Sequence, residues 1–259
     1  MLESSIGAPL FNRSGRGLIL SETGKLVNVY AEEIFSLGSE LTQTIKNKTV
    51  TNTKELVVGI VDSIPKLVAY RTLVPCLELS EDIKIVCLEG ELENLLAQLS
   101  VHNIELVLSD RPVPSGLSVK AYNHLLGESK VSIFAHNSCA EKYTQDFPQS
   151  LNNAPMLLPL PSSPLRRNLD DWFESNDISP KIIAEFSDSA LLKAFGEAGI
   201  GLFPAPDAIS DHIEKMYNAQ KIGTLDCVKE SYYAISPERK LKHPGVKEIT
   251  NFARSNIFM

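Results

Sequence analysis

Apolar residues Val27, Tyr30, Ile34, Leu37, Leu41 and Ile45 recur at spacings of three and four within the proline-free run Ser21–Lys48. That period predicts one helix carrying a seam for a partner helix. At 1.5 Å per residue such a helix is about 40 Å long. Ser21 stands at its N-cap, and Gly24 takes the place where a capping box would have glutamate. An ordinary surface helix packed on the following domain is the alternative reading; residues 1–20 are too few to build a core for it. From Glu55 the pattern changes. Glu55–Val61 is a short apolar run suited to a buried parallel strand. Pro65 then opens a helix running to about Leu79. Asp82–Leu88 reads as a second strand, Glu91–Leu99 as a helix and Ile104–Leu108 as a third strand. Strands and helices alternating at this spacing predict parallel βαβ units, an α/β fold.

The alternation then repeats. Strands are expected at Lys130–Ala135, Met156–Leu160, Lys181–Glu185 and Ile200–Phe203. One helix begins at Pro164 behind a Ser163 cap and runs to about Ser175; another, Ala190–Glu197, follows Ser187-Asp188-Ser189. Glu230–Ser236 and a closing helix from Pro244 to about Ser255 return to the first half. The chain thus divides into 1–20, a helix over 21–52, a first lobe over 53–133, a second over 134–227, and a return segment over 228–259. The glycines of Gly196-Glu-Ala-Gly199-Ile-Gly201 precede a strand, the reverse of a dinucleotide fingerprint, and read as a helix stop and tight turn.

At the N-terminus, Leu2–Gly7 reads as the last turn of a helix closed by glycine. Leu10–Leu20 gives two β-prone runs around Ser-Gly-Arg-Gly, a hairpin carrying Arg13 and Arg16. Guanidinium groups there would touch phosphate and set position on DNA; solvated arginines are the plainer reading.

The formal charge of −7 argues against a broadly basic nucleic-acid surface. DNA contact must then be local, or belong to residues outside this chain. No apolar run approaches a membrane span and no cationic leader is present, so a cytoplasmic location with no membrane partner is expected. Cys76, Cys87, Cys139 and Cys227 stand far apart and are expected to be reduced and mostly buried. No nucleophile–base pair appears, and His102, His124, His136, His212 and His243 show no metal spacing. An enzyme is not indicated. His136 follows a strand and is a candidate for titration near neutral pH, a solvated or core histidine being the plainer reading; Trp172 is expected to pack in the second lobe.

Leu10-Phe-Asn-Arg-Ser-Gly-Arg-Gly-Leu18 followed by Leu20-Ser-Glu-Thr-Gly24 resembles the wing and linker-helix start of LysR-type transcriptional regulators. The resemblance implies a winged helix-turn-helix of which this chain carries the end of the recognition helix and the wing, so the chain is expected to be truncated. It also implies a two-lobed effector domain of the periplasmic-binding-protein type II fold. Val58-Gly-Ile-Val-Asp62, Leu92-Glu-Asn-Leu-Leu-Ala-Gln-Leu-Ser100, Ser109-Asp-Arg-Pro112, Glu185-Phe-Ser-Asp-Ser-Ala-Leu-Leu-Lys-Ala-Phe-Gly196 and His243-Pro-Gly-Val-Lys-Glu-Ile249 resemble a branch of that family, the NhaR-type activators of sodium/proton antiporter genes. The partners so implied are promoter DNA in the complete protein, RNA polymerase, and further copies of the chain as homodimer or homotetramer.

Ligands in such folds lie beyond the carboxyl ends of strands, at helix N-termini. The residues leaving those ends are Asp62-Ser63, Glu89-Gly90, Ser109-Asp110, Ser162-Ser163 and Ser187-Asp188. The carboxylates Asp62, Glu89, Asp110 and Asp188 suit a hard cation such as Na+, a candidate effector in place of any cofactor. That agrees with the response to sodium or alkaline pH that the resemblance implies. For each taken singly, a helix cap satisfying backbone amides is the plainer reading. Ser162, Ser163 and the Arg166-Arg167 pair keep a small-organic-anion site open. The rival from another class is a solute-binding receptor of the same lobe fold.

Overall fold

The computed structural model describes residues 2–14, 17–48, 54–78, 83–117, 119–237 and 244–258. Arg16, His243, Asp82 and the polar break before Lys54 lie outside them. Residues 1–53 and 54–259 form two compact units.

The first unit contains α1 (Leu2–Ile6), an antiparallel hairpin of β1 (Phe11–Ser14) and β2 (Gly17–Leu20), and the long α2 (Glu22–Lys48). Glu3 Oε1 accepts the Leu10 N–H at 2.6 Å and ties α1 to the hairpin. Ser21 caps α2 as its residue type predicts: its Oγ accepts the Gly24 N–H at 2.9 Å and donates to the Pro9 carbonyl at 2.6 Å. A Cβ on Gly24 would lie 2.0 Å from the Leu10 carbonyl oxygen. Glycine stands there because the helix start presses on the hairpin, which rules out the glutamate of a capping box. Tyr30, Ile34, Leu37 and Leu41 are each at least 60% exposed and Val27 is half-buried. The Ile45 side chain lies outside the described ones.

The second unit is built on a six-stranded sheet of order β4-β3-β5-β10-β6-β9. Its strands are β3 (Lys54–Val61), β4 (Ile83–Gly90), β5 (Leu106–Ser109), β6 (Tyr122–His136), β9 (Phe203–Pro206) and β10 (Ala219–Ser236). β3 pairs in parallel with β4 and β5, as the βαβ pattern requires. Leu56, Val58 and Ile60 are buried on one parity of β3, and every residue of β5 is buried, as befits a central strand. A second, parallel sheet holds β7 (Pro155–Pro159) and β8 (Lys181–Phe186), joined to Leu202 by a bridge at Met156.

Helix α3 (Lys66–Leu73) ends earlier than the sequence suggests, passing into a 3₁₀ turn over Val74–Glu78 where Pro75 cannot donate to the α-helical ladder. α4 (Leu92–Ser100) buries Leu92, Leu95, Leu96 and Leu99, the three-and-four spacing of an amphipathic helix. α5 (Glu141–Thr144), α6 (Pro164–Ser175), α7 (Ser189–Glu197), α8 (Ser210–Met216) and α9 (Pro244–Phe252) complete the unit. Three expectations are corrected. The strand expected at Ile200–Phe203 lies instead at Phe203–Pro206, because Gly199 turns at φ +71° and Leu202 serves the other sheet. Lys130–Ala135 and Glu230–Ser236 are parts of two far longer strands, β6 and β10, paired antiparallel from Ala219↔His136 to Ser236↔Tyr122 through three irregularities. Only Cys76 of the four free cysteines is buried, its Sγ donating to the Gly245 carbonyl; Cys87 and Cys227 are exposed and Cys139 is intermediate.

Two apolar clusters fill the unit. One gathers β3, β5, α4, the Tyr232–Ile235 end of β10 and the C-terminal helix; the other gathers Ile133, Met156, Leu158, Leu169, Phe173 and Leu225, with Trp172 packed at its margin. Arg71 on α3 donates from Nη1 to the Ala208 carbonyl beyond β9 at 2.8 Å, a link across 137 positions.

Candidate functional site

A cleft of about 350 Å³ opens where β3, β5, β7 and β8 end and α3, α6 and α7 begin. Strand ends and helix starts coincide because each βα turn returns the chain to the same side of a parallel sheet. The sequence candidates Asp62, Ser63, Asp110, Ser162, Ser163 and Ser187 all line it. Glu89 and Asp188 do not. Glu89 is held by Lys66 Nζ at 2.6 Å, and Asp188 Oδ1 accepts the Ala190 N–H at 2.9 Å as the cap of α7. The four carboxylates therefore do not converge, and among the described residues no three His, Cys, Asp or Glu side chains are placed to hold a metal ion. Ser163 occupies the N-cap of α6 but, among the described residues, makes no side-chain capping bond.

Arg166 is committed to partners within the protein. It is buried and engaged by Asp170 Oδ1, Glu185 Oε1 and the Pro159 carbonyl, while exposed Arg167 reaches the Ser162 carbonyl at 3.5 Å. His136 lies away from the cleft, its ring nitrogens bonded to Ser138 Oγ at 2.8 Å and Asn218 at 3.0 Å.

Two residues that sequence reading passed over dominate the cleft. Lys193 is only 4% exposed, and its ammonium donates to the Ser189 carbonyl at 3.0 Å. Burial pulls its pKa down from 10.5 to about 8, against the upward pull of Glu230 and Asp188; Lys66 adds to the depression. Glu230 takes the Tyr232 hydroxyl on Oε2 at 3.2 Å. Burial pushes its carboxyl up from 4.5 to about 7, with Asp110 adding to the rise and Tyr232 and Lys193 opposing it. The signals were present in the chain. Lys193 shares the face of Leu192 and Gly196, both buried, and Glu230 shares the inward parity of Val228 and Tyr232.

Among the described residues, three buried side-chain atoms of cleft-lining residues have no hydrogen-bond partner: Ser63 Oγ, Asp110 Oδ1 and Ser189 Oγ. Arg111 Nη1 stands 3.6 Å from Asp110 Oδ1, an ionic contact longer than a hydrogen bond. Such groups are costly to leave unsatisfied inside a protein. The cleft thus combines carboxyl groups (Asp62, Glu91, Asp110, Glu230), a buried ammonium, hydroxyls and helix N-termini.

A long apolar-striped helix behind a hairpin, then an α/β unit with a polar cleft at its strand ends, is the plan of a DNA-binding sensor. The family model described as the LysR substrate binding domain matches residues 51–257, and the chain belongs to the LysR family of transcriptional regulators. Among its relatives is the transcriptional activator protein NhaR of Escherichia coli K12, 34% identical over 257 residues, which cover 99% of this chain and 84% of that protein. The HTH-type transcriptional regulator CzcR of Bacillus anthracis is 24% identical over 243 residues, covering 91% of this chain and 76% of that one. The crystal structure of the LysR family regulator CbnR aligns over 98% of this chain and 87% of that one with a TM-score of 0.63 at 17% identity. The structure of Vibrio fischeri DarR in complex with DNA aligns over 98% and 86%, with a TM-score of 0.62 at 17% identity. The fold of the second unit is the type II periplasmic-binding-protein-like fold of LysR effector domains.

Proposed function

We propose that this protein is a transcriptional activator of the NhaR kind, working at promoters of sodium/proton antiporter genes, with the cleft as its sensor. The observation that carries this reading is the 34% identity to NhaR over 99% of the chain. Two lobes, 53–133 with 228–259 and 134–227, would change their mutual angle as the cleft is filled or changes charge. A signal achieves this only by favouring one arrangement over the other. Of sodium and alkaline pH, the proton is the better supported signal: Lys193 and Glu230 titrate near about 8 and about 7. A sodium ion would find Asp62 and Asp110 in the cleft but not Glu89 or Asp188.

The α2 stripe supports a dimer through paired helices, with a tetramer completed through the lobes. Arg13 and Arg16 would contact the DNA backbone in the complete protein, and RNA polymerase would be the partner that reads activation. The activity belongs in the cytoplasm; among the described residues no helix is long and apolar enough to cross a membrane. The test is immunoprecipitation of the tagged protein with its DNA before and after an alkaline step, together with antiporter transcript levels. Occupancy of an antiporter promoter and a transcript rise that Glu230→Gln blunts are expected. Absence of the protein from every such promoter would reject the proposal.

A further inference from the structure

We infer that the 3₁₀ turn Asp207–Ile209 is a latch across the hinge between the lobes. It is fastened to the second lobe through the Asp207 side chain and gripped from the first by Arg71 and Ser129. This rests on the reading of the second unit as a sensor of variable lobe angle, and it names the residues that hold that angle.

The ladder of β6 and β10 is interrupted where the chain passes between the lobes. Leu225 pairs with Val131 and Lys229 with Lys130, so Asp226, Cys227 and Val228 stand between two consecutive partners on β6. Surplus residues on one strand break the pairing and bend it, which makes this the place where a change of angle disturbs the sheet least. The turn Asp207–Ile209 sits beside the break: Pro206, just before it, is the partner of Val131.

The polar groups of the turn divide between the two sides. Asp207 Oδ1 accepts from Ser132 Oγ at 2.6 Å, Ser210 Oγ at 3.0 Å and Lys221 Nζ at 3.1 Å, all beyond the break towards the second lobe. Ala208 is held from the other side. Its N–H donates to the Oγ of buried Ser129 at 3.0 Å, and its carbonyl accepts from Arg71 Nη1 at 2.8 Å. One residue of the second lobe thus has both its peptide groups engaged by the first. Hydrogen bonds weaken steeply with distance and angle, and a buried donor parted from its acceptor keeps its desolvation penalty. The latch is therefore either made or broken, and it favours one arrangement of the lobes over a continuum.

Arginine suits the long reach from α3. Its guanidinium stays charged at any working pH, and a charged donor makes a hydrogen bond about twice as strong as a neutral one. The same helix touches the cleft: Pro65 at its start lines that space, and Arg71 lies about 9 Å further along the axis. α3 packs on α9 and on the turn Ala253–Ile257, within the first lobe. A displacement of α3 at the cleft is carried along this short rigid element to the Arg71 bond.

The test is single-molecule energy transfer on the whole chain, between fluorophores on noncanonical residues placed at Glu93 of α4 and Ser175 of α6. Both positions are exposed, one in each lobe. Labelled chains are diluted into unlabelled ones so that each assembly reports a single chain. Arg71→Met and Ser129→Ala should each raise the ratio of a second efficiency population to the main one about tenfold or more. Arg71→Lys, which keeps a charged donor, should fall between Arg71→Met and the unaltered protein. Lys84→Met, which removes an exposed first-lobe ion pair with Glu55, should leave the distribution as it was. Should Ser129→Ala fail to fold, Arg71→Met decides alone, at a residue that is only half-buried. A distribution unchanged in Arg71→Met, or an equal shift in Lys84→Met, overturns the inference and leaves promoter occupancy untouched. A shifted distribution in a protein absent from antiporter promoters would uphold the latch and reject the regulator reading alone.

Discussion

Lys193 Nζ lies 3.0 Å from the carbonyl oxygen of Ser189, one turn back on α7, and this backbone oxygen is the ammonium's hydrogen-bond acceptor among the described residues. A charge buried on so little support destabilises the fold. Its folded pKa of about 8 lies below the 10.5 of the free side chain, so between those values the unfolded chain binds more protons. Stability should therefore rise with pH across that window. Lys193→Met should gain about 1–3 kcal/mol near neutral pH, a gain that fades above about pH 10. Urea unfolding at several pH values checks this; a loss of stability near neutrality would show that the ammonium has a strong partner.

Glu230 works in the opposite direction. Its folded pKa of about 7 lies above 4.5, so the native state binds more protons between them and stability falls as pH rises through that range. Glu230→Gln should flatten this part of the profile. In Lys193→Met the Glu230 titration should move further up, because Lys193 is one of the groups holding it down. NMR titration of the Glu230 carboxyl carbon measures both.

Gly196 on α7 faces the ring of Phe203 on β9, and a Cβ there would lie 2.2 Å from Phe203 Cδ1. Gly196→Ala should cost about 1–3 kcal/mol by overpacking, since Phe203 is fully buried and stacked on Phe134 at 5.7 Å. A midpoint in urea equal to that of the unaltered protein would mean the ring yields freely.

Cys227 sits at φ +70° in the irregular stretch of β10. That left-handed backbone costs a side-chain-bearing residue about 1 kcal/mol or more relative to glycine. Cys227→Gly is expected to raise stability modestly, by up to about 1 kcal/mol. Thermal unfolding monitored by circular dichroism reads the difference.

The apolar stripe of α2 gives the last prediction. Ile34→Glu with Leu41→Glu should lower the solution mass towards that of one chain while leaving the unfolding of the α/β unit unchanged. Sedimentation equilibrium reads the mass. An unchanged assembly would exclude the stripe as the seam.

Periodicity and capping chemistry by themselves determined most of the architecture. The α2 stripe, the Ser21 cap, the β3–α3–β4–α4–β5 alternation and the Pro164 helix start are local, set by neighbouring residues and the geometry of one turn. The strand-end positions of Asp62, Ser63, Asp110, Ser162, Ser163 and Ser187 followed from the same alternation, and all six face one cleft. Tertiary structure alone decided how β6 and β10 pair along their full lengths, because antiparallel partners about a hundred residues apart leave no local trace of their register. It also decided which polar groups are left without partners. Capping and ion pairing removed Asp188 and Glu89 from the cleft, and Arg166 was drawn into its own pairs. Lys193 and Glu230, unremarkable as letters in an apolar run, became the groups with perturbed charge. Their chemistry comes from the low-dielectric space that folding builds around them, and burial is a property of the packed whole.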